Sequence, residues 1–205
     1  MHFSRKIKIV LFLALSWFSF SALAASSPLP MLQNTANQIV SALNQNKAAL
    51  KNNPQISYSI VNRYLVPLVD QNEMAQAVLG RNVWQNATST QKTQFIQQFR
   101  LLVVRTYAAA FSQFSDEQVQ FKPIRNLDNS ASLLKVNSLI VRSNGPSIPV
   151  SYTLKLEGSN WKVVDFAVDN VSMVQSFKSQ FQGQLSSGGL DTLIANLTSH
   201  NAKNG

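Results

Sequence analysis

Residues 161–181 read WKVVDFAVDNVSMVQSFKSQF, and this stretch constrains the fold more than any other. In its first half apolar side chains fall on both faces of an extended chain: Trp161 and Val163 on one, Val164, Phe166 and Val168 on the other. A strand with that pattern is covered on both sides. Asp169-Asn170 is then a turn signal, because short polar side chains tolerate the tight backbone a turn needs. From Val171 the period changes: Val174, Phe177 and Phe181 recur at helical spacing, with Lys178, Ser179 and Gln180 between them. A hydrophobic strand therefore feeds directly into an amphipathic helix, and the rest of the chain has to supply strands beside the first part and helices over the second.

The chain before this point supplies both. Met31–Asn53 predicts a first helix with Leu32, Ala36, Ile39, Val40 and Leu43 on one stripe, ended by Asn53-Pro54. Ile56–Val69 predicts a second, kinked or ended by Pro67. Glu73–Leu79 adds one or two turns, stopped at Gly80. Thr88 with Gln91 matches a capping box, and from it a long helix runs to about Phe114 on the stripe Phe95, Phe99, Leu102, Val103, Tyr107 and Phe111. At Ser115-Asp116 the texture switches to four strands: Val119–Ile124, Ala131–Arg142, Ile148–Glu157 and Trp161–Val168. Turns at Asn144-Gly145-Pro146 and Gly158-Ser159-Asn160 make neighbouring strands antiparallel. After the joint come a helix from Val171 to Leu185, a break at Gly188-Gly189, a short helix Leu190–Leu197, and a polar tail from Ser199 that is expected to fray. Helices, then a sheet, then helices argue for a single α+β domain, with the sheet curled around a helical layer.

The N-terminus stands apart. Arg5, Lys6 and Lys8 precede the apolar run Ile9–Leu15, and Ala22-Leu23-Ala24 is an A-x-A site, so residues 1–24 are read as a secretory signal peptide cleaved after Ala24, with residues 25–205 as the mature domain. Three of the positive charges lie in that segment, so the remainder carries +6 of the full +9. Those charges are scattered, with no basic cluster and no basic-aromatic motif of the kind that binds nucleic acid. The chain contains no cysteine, which excludes disulfides, thiol catalysis and a lipid-modified cysteine.

Catalytic chemistry is poorly provided for. One histidine follows the signal segment, His200 in the polar tail, too few for a zinc site and poorly placed for a nucleophile–base pair. Asp165 is the one carboxylate of interest, set mid-strand among apolar neighbours where its pKa could be tuned for proton transfer. The plainer expectation is an ion pair with Lys135 or Arg142, or a place at the sheet rim.

Val78-Leu79-Gly80-Arg81, Phe95–Phe99, LLVVRTY at 101–107, WKVVDF at 161–166, NVSMVQSFKSQF at 170–181 and Gly188-Gly189-Leu190-Asp191 together resemble the toluene-tolerance (MlaC) family of periplasmic phospholipid carriers. The resemblance covers nearly all of the chain after the signal segment; the Asn- and Gln-rich Met31–Asn53 departs from it. It implies a helical layer packed on a curved four-stranded antiparallel sheet with an apolar lipid pocket between. It also implies a soluble periplasmic protein that is not an enzyme and has no cofactor beyond its phospholipid cargo. Such a carrier shuttles lipid between an outer-membrane Mla lipoprotein–porin complex and an inner-membrane Mla ABC transporter with a ring-forming substrate-binding subunit, and so maintains outer-membrane lipid asymmetry. On that basis the tail-binding residues are expected to be Phe99, Val103 and Tyr107 from the long helix and Val136, Tyr152, Leu154, Val164 and Phe166 from the strands. Val174, Phe177 and Phe181 from the next helix and Leu193 from the last complete the set. Trp161 and Val163 are the alternative inward pair on the last strand. Two other readings remain open: a small-molecule enzyme on a curved-sheet fold with Asp165 as base, and a periplasmic adaptor without a ligand.

Overall fold

The computed structural model describes residues 26–50, 52–111, 117–124, 131–142 and 145–203. The signal segment 1–24 and the expected helix end at 112–114 lie outside them. The sheet is a meander of β1 (Gln118–Phe121), β2 (Leu133–Val141), β3 (Ile148–Glu157), β4 (Asn160–Val168) and β5 (Val171–Ser172), each antiparallel to the next. The four expected strands are β1–β4. The fifth forms inside the joint: Asp169 and Asn170 take positive φ, 49° and 65°, and close a two-residue hairpin pairing Val168 with Val171. Two consecutive positive-φ residues match the twist of the flanking strands, which is why Asp-Asn serves here.

A bulge in β4 settles which residues face inward. Thr153 pairs with Asp165 but Leu154 pairs with Val163, so Val164 is one residue too many on its strand. An extra residue breaks the alternation of faces. Below it Trp161 and Val163 lie opposite Leu156 and Leu154; above it Phe166 and Val168 lie opposite Tyr152 and Val150. Since those β3 residues share one face, all four β4 partners share it too. Simple alternation placed Trp161 and Val163 opposite Phe166 and Val168; the bulge brings both pairs to the same side and leaves Val164 out of step.

The helices are α1 (Leu29–Gln45), α2 (Lys47–Leu50), α3 (Pro54–Tyr64), α4 (Gln71–Leu79), α5 (Arg81–Asn86), α6 (Ser89–Phe111) and α7 (Met173–Lys203). The first expected helix is divided, because the Asn46 side chain donates to the Ala42 carbonyl at 2.8 Å and competes with helix continuation. Asn53 caps α3 by accepting from Gln55 N at 3.1 Å. That helix stops at Tyr64 rather than Val69, and a 3-10 turn at Val66–Leu68 follows. Pro67 has no N–H to offer the Arg63 carbonyl and its ring crowds it. The capping box at α6 is formed: Gln91 N donates to Thr88 Oγ1 at 3.2 Å and Thr88 N to Gln91 Oε1 at 2.9 Å. Helix α5 was not anticipated. The glycine break appears as a kink in α7 at Gly189, φ 71°.

The tail expected to fray from Ser199 is instead helical through Lys203. Asn201 is 4% exposed and donates to the Gln98 carbonyl and to Gln98 Oε1, both at 2.9 Å, while the Arg105 guanidinium donates to the Asn201 carbonyl. These bonds fasten the end of α7 to α6, and a terminus tied down in this way does not fray.

The apolar interior has a solid part between α4, α6 and α7, with Phe95, Phe99, Phe177, Phe181 and Leu193 at its centre. A second cluster, Leu32, Val136, Leu154, Trp161 and Val163, packs the start of α1 on the sheet. A third, Ile39, Leu43, Leu50 and Ile60, joins α1 to α3.

Candidate functional site

Beside the phenylalanine cluster the interior is hollow. A cavity of about 650 Å³ separates the inward face of the sheet from α1, α3 and α6, a size that suits a sizeable apolar guest. The sheet contributes Val119 and Phe121 from β1, Ile140 from β2, Ile148, Val150 and Tyr152 from β3, and Val163, Phe166 and Val168 from β4. Only the bulge allows Val163 and Phe166 to appear together. The stripe of α1 (Leu32, Ala36, Ile39, Val40, Leu43) forms the opposite wall, continued by Val61 of α3 and by Leu65, Val66, Leu68 and Val69 around the 3-10 turn. From α6 come Ile96, Phe99, Val103 and Val104. The polar residues at the wall are Thr35, Gln71, Arg100, Glu117, Arg142 and Tyr152.

Four of the expected tail-binding residues line this cavity: Phe99, Val103, Tyr152 and Phe166. The other eight lie elsewhere. Val136 and Leu154 are on the inward face but are covered by Leu32, Trp161 and Val163. Val164 is the extra residue of the bulge. Val174, Phe177, Phe181 and Leu193 belong to the cluster between α4, α6 and α7. Tyr107 packs edge-on against Phe166, ring centroids 4.8 Å apart. The expectation passed over the α1 wall, although its stripe is plain in the sequence; a stripe shows which face is covered, not whether core or cavity covers it.

Burial pushes the Tyr152 hydroxyl above its ordinary pKa, a hydrogen bond with Ser138 working the other way. Tyr107 is raised as well, by burial first and by the Asp165 charge second.

Asp165 has neither of its expected partners. Its Oδ2 accepts from Ser172 Oγ at 2.6 Å and its Oδ1 from Val174 N at 3.1 Å, while Ser172 Oγ accepts from Gln175 N at 3.1 Å. The first turn of a helix has free N–H groups and favours negative charge; Asp165 supplies both needs for α7, and it is not part of the cavity wall. Among the described residues no group of three or more His, Asp or Glu is disposed to hold a metal ion.

The rim near α4 is cross-linked to the sheet. Asp70 N donates to Val163 O at 3.0 Å, Lys162 Nζ to the Pro67 carbonyl at 2.8 Å, and Lys155 pairs with Glu73. Asp70 Oδ1 caps α4 by accepting from Glu73 N at 3.0 Å. Burial raises the Asp70 pKa, but hydrogen bonds from Glu157, Glu73 and Asn72 and the Lys155 charge outweigh it and hold the carboxyl below its usual value. Glu157 is raised by that hydrogen bond to Asp70, by desolvation and by the Asp70 charge.

The family model described as MlaC protein matches residues 33–199. The toluene tolerance protein ttg2D of Pseudomonas putida is 26% identical over 181 residues, covering 88% of this chain and 83% of that one. The intermembrane phospholipid transport system binding protein MlaC of Haemophilus influenzae is 28% identical over 181 residues, covering 86% and 83%. The phospholipid-binding protein from Ralstonia solanacearum, solved in complex with a phospholipid, shares the fold with a TM-score of 0.79 at 24% identity, over 87% of this chain and 98% of that one.

Proposed function

The chain belongs to the MlaC family, and from that premise we propose that it is a phospholipid carrier, exported to the periplasm, that holds the acyl tails of its cargo in the cavity between the sheet and α1, α3 and α6. The observation that carries this reading is the hollow itself, about 650 Å³ with a wall of aliphatic and aromatic side chains. The name of the Haemophilus relative supports it. In this reading Phe99, Val103, Tyr152 and Phe166 touch the tails, together with the α1 stripe. Cargo passes between an outer-membrane complex and an inner-membrane transporter of the same system, and the protein carries out no catalysis.

The energetics favour a carrier that loads and unloads at docking sites. Removing a ~16-carbon tail from water is worth about 13 kcal/mol at ~0.8 kcal/mol per CH₂, and a bilayer offers the same gain. The cavity therefore needs only to match the bilayer, and a partner that changes its shape tips the balance at either end.

The test is detergent-free purification of the exported protein, followed by organic extraction and mass spectrometry. Copurified phospholipid, and an N-terminus at Ala25, are the expected results. Protein that carries no lipid and takes none from labelled vesicles would overturn the reading.

A further inference from the structure

Arg100 is anomalous in the cavity wall. It sits on the α6 face made by Ile96, Phe99, Val103 and Val104, four residues from both Ile96 and Val104 and so roughly 6 Å along the helix axis from each. Its Nε is buried and has no hydrogen-bond partner among the described residues. A guanidinium cannot shed its proton, so the unmet donor belongs to a permanent charge, and such groups are costly unless something pairs with them. The residue as a whole is only half-buried, so beside the buried Nε part of its side chain stays accessible to water or to a guest in the cavity. Arg142 is differently engaged: its Nε and Nη2 both donate to the Pro146 carbonyl, at 3.0 and 2.7 Å, and hold the turn between β2 and β3. The charged groups of the wall are these two arginines and Glu117, which leaves one positive charge in excess, the complement of one phosphodiester.

We propose that Arg100 anchors the phosphodiester of the bound phospholipid, with Nε–H and a neighbouring Nη–H donating to two phosphate oxygens. A guanidinium edge matches a phosphate in this bidentate manner and a lysine does not. The inference rests on the carrier reading and deepens it: the tails set capacity, the phosphate sets position, and the group beyond the phosphate goes unread.

The experiment loads delipidated wild type and Arg100→Gln from detergent micelles with fluorescent phosphatidylglycerol or with fluorescent diacylglycerol of identical tails. The expected result is that the variant binds phosphatidylglycerol about tenfold more weakly, the worth of one charge-assisted hydrogen bond. Diacylglycerol binding should be unchanged, and the lipid-free variant should unfold no earlier than wild type. Arg100→Lys keeps the charge and stem without the Nε–H; it should lose most of the same preference, and it carries the test should Gln disturb folding. Wild type that takes both lipids equally well, or variants that keep the wild-type ratio, would overturn the anchor while leaving the carrier standing. Wild type that takes neither lipid would bring down both. Loss of both lipids with a lowered Tm would make Arg100 a structural residue and overturn the anchor. So would inorganic phosphate that stabilises lipid-free wild type but not Arg100→Gln while the lipid ratio stays unmoved, because that marks a free-anion site.

Discussion

Phe177→Ala separates the solid part of the interior from the hollow part. Phe177 is 7% exposed; its ring stands edge-on to Phe99 at 5.2 Å and lies 5.6 Å from Phe181. It is no part of the cavity wall, but it backs Phe99, which is. Truncating a packed phenylalanine to alanine costs ~3–5 kcal/mol, because a void replaces the ring. The two ring pairs are part of that loss, at about 0.5–1.5 kcal/mol each. For a domain of this size 1 kcal/mol moves Tm by ~2–4 °C, so lipid-free Phe177→Ala should melt roughly 6–20 °C below lipid-free wild type. The assay is thermal unfolding of delipidated protein by circular dichroism, beside the lipid phosphorus bound per mole after native purification below the variant's Tm. Bound lipid should stay near the wild-type level. An unchanged Tm with depleted lipid would refute the reasoning, since it would put Phe177 against the cargo.

The complementary change is Val103→Phe, which points added volume into the cavity: lipid-free Tm should hold while bound phosphorus falls, and a large loss of Tm would mean that Val103 faces packed core. Asp165→Asn replaces one of two acceptors at the start of α7 with a donor and should cost ~0.5–2 kcal/mol in denaturant unfolding, with lipid transfer between vesicles preserved; loss of a measurable turnover with lipid still bound would restore a catalytic role. The Asp70–Glu157 pair predicts a pH dependence. Asp70, lowered in the fold, contributes stability that is present above its unfolded pKa and lost as pH falls through its lower folded value. Glu157, raised in the fold, contributes only below its unfolded pKa and loses that as pH rises through its folded value. At neutral pH the second carboxylate is therefore a burden, and Glu157→Gln should raise Tm there, with the gain vanishing in acid where wild-type Glu157 is protonated. A gain that persists in acid would assign it to something other than charge.

The element types were legible because they rest on periodicity. The α6 stripe, the Thr88 capping box and the Asp169-Asn170 turn are all local signals, and each appears in the structure. The cavity wall was less legible for a physical reason. An apolar stripe reports that water is excluded, and packed core and lipid cavity exclude it equally. Phe177 and Phe181 on α7 and Ala36 and Val40 on α1 are stripe residues alike in sequence, yet the first pair is packed among other rings and the second lines the hollow. Asn201 was missed because its burial depends on Gln98 and Arg105, about a hundred residues away.

The single surplus residue at Val164 acts as a phase shift in an otherwise two-beat strand. Its consequence is that β4 can lose a residue at this point more easily than it can gain one. Removing Val164 would restore plain alternation and keep both pairs inward, because Val163 and Phe166 would then stand two positions apart opposite Leu154 and Tyr152. Adding a residue there would rotate half of the strand and send either Trp161 and Val163 or Phe166 and Val168 away from the interior. A chain that keeps this cavity can give up the surplus residue, but it cannot take on another at that point without turning one of its inward pairs outward.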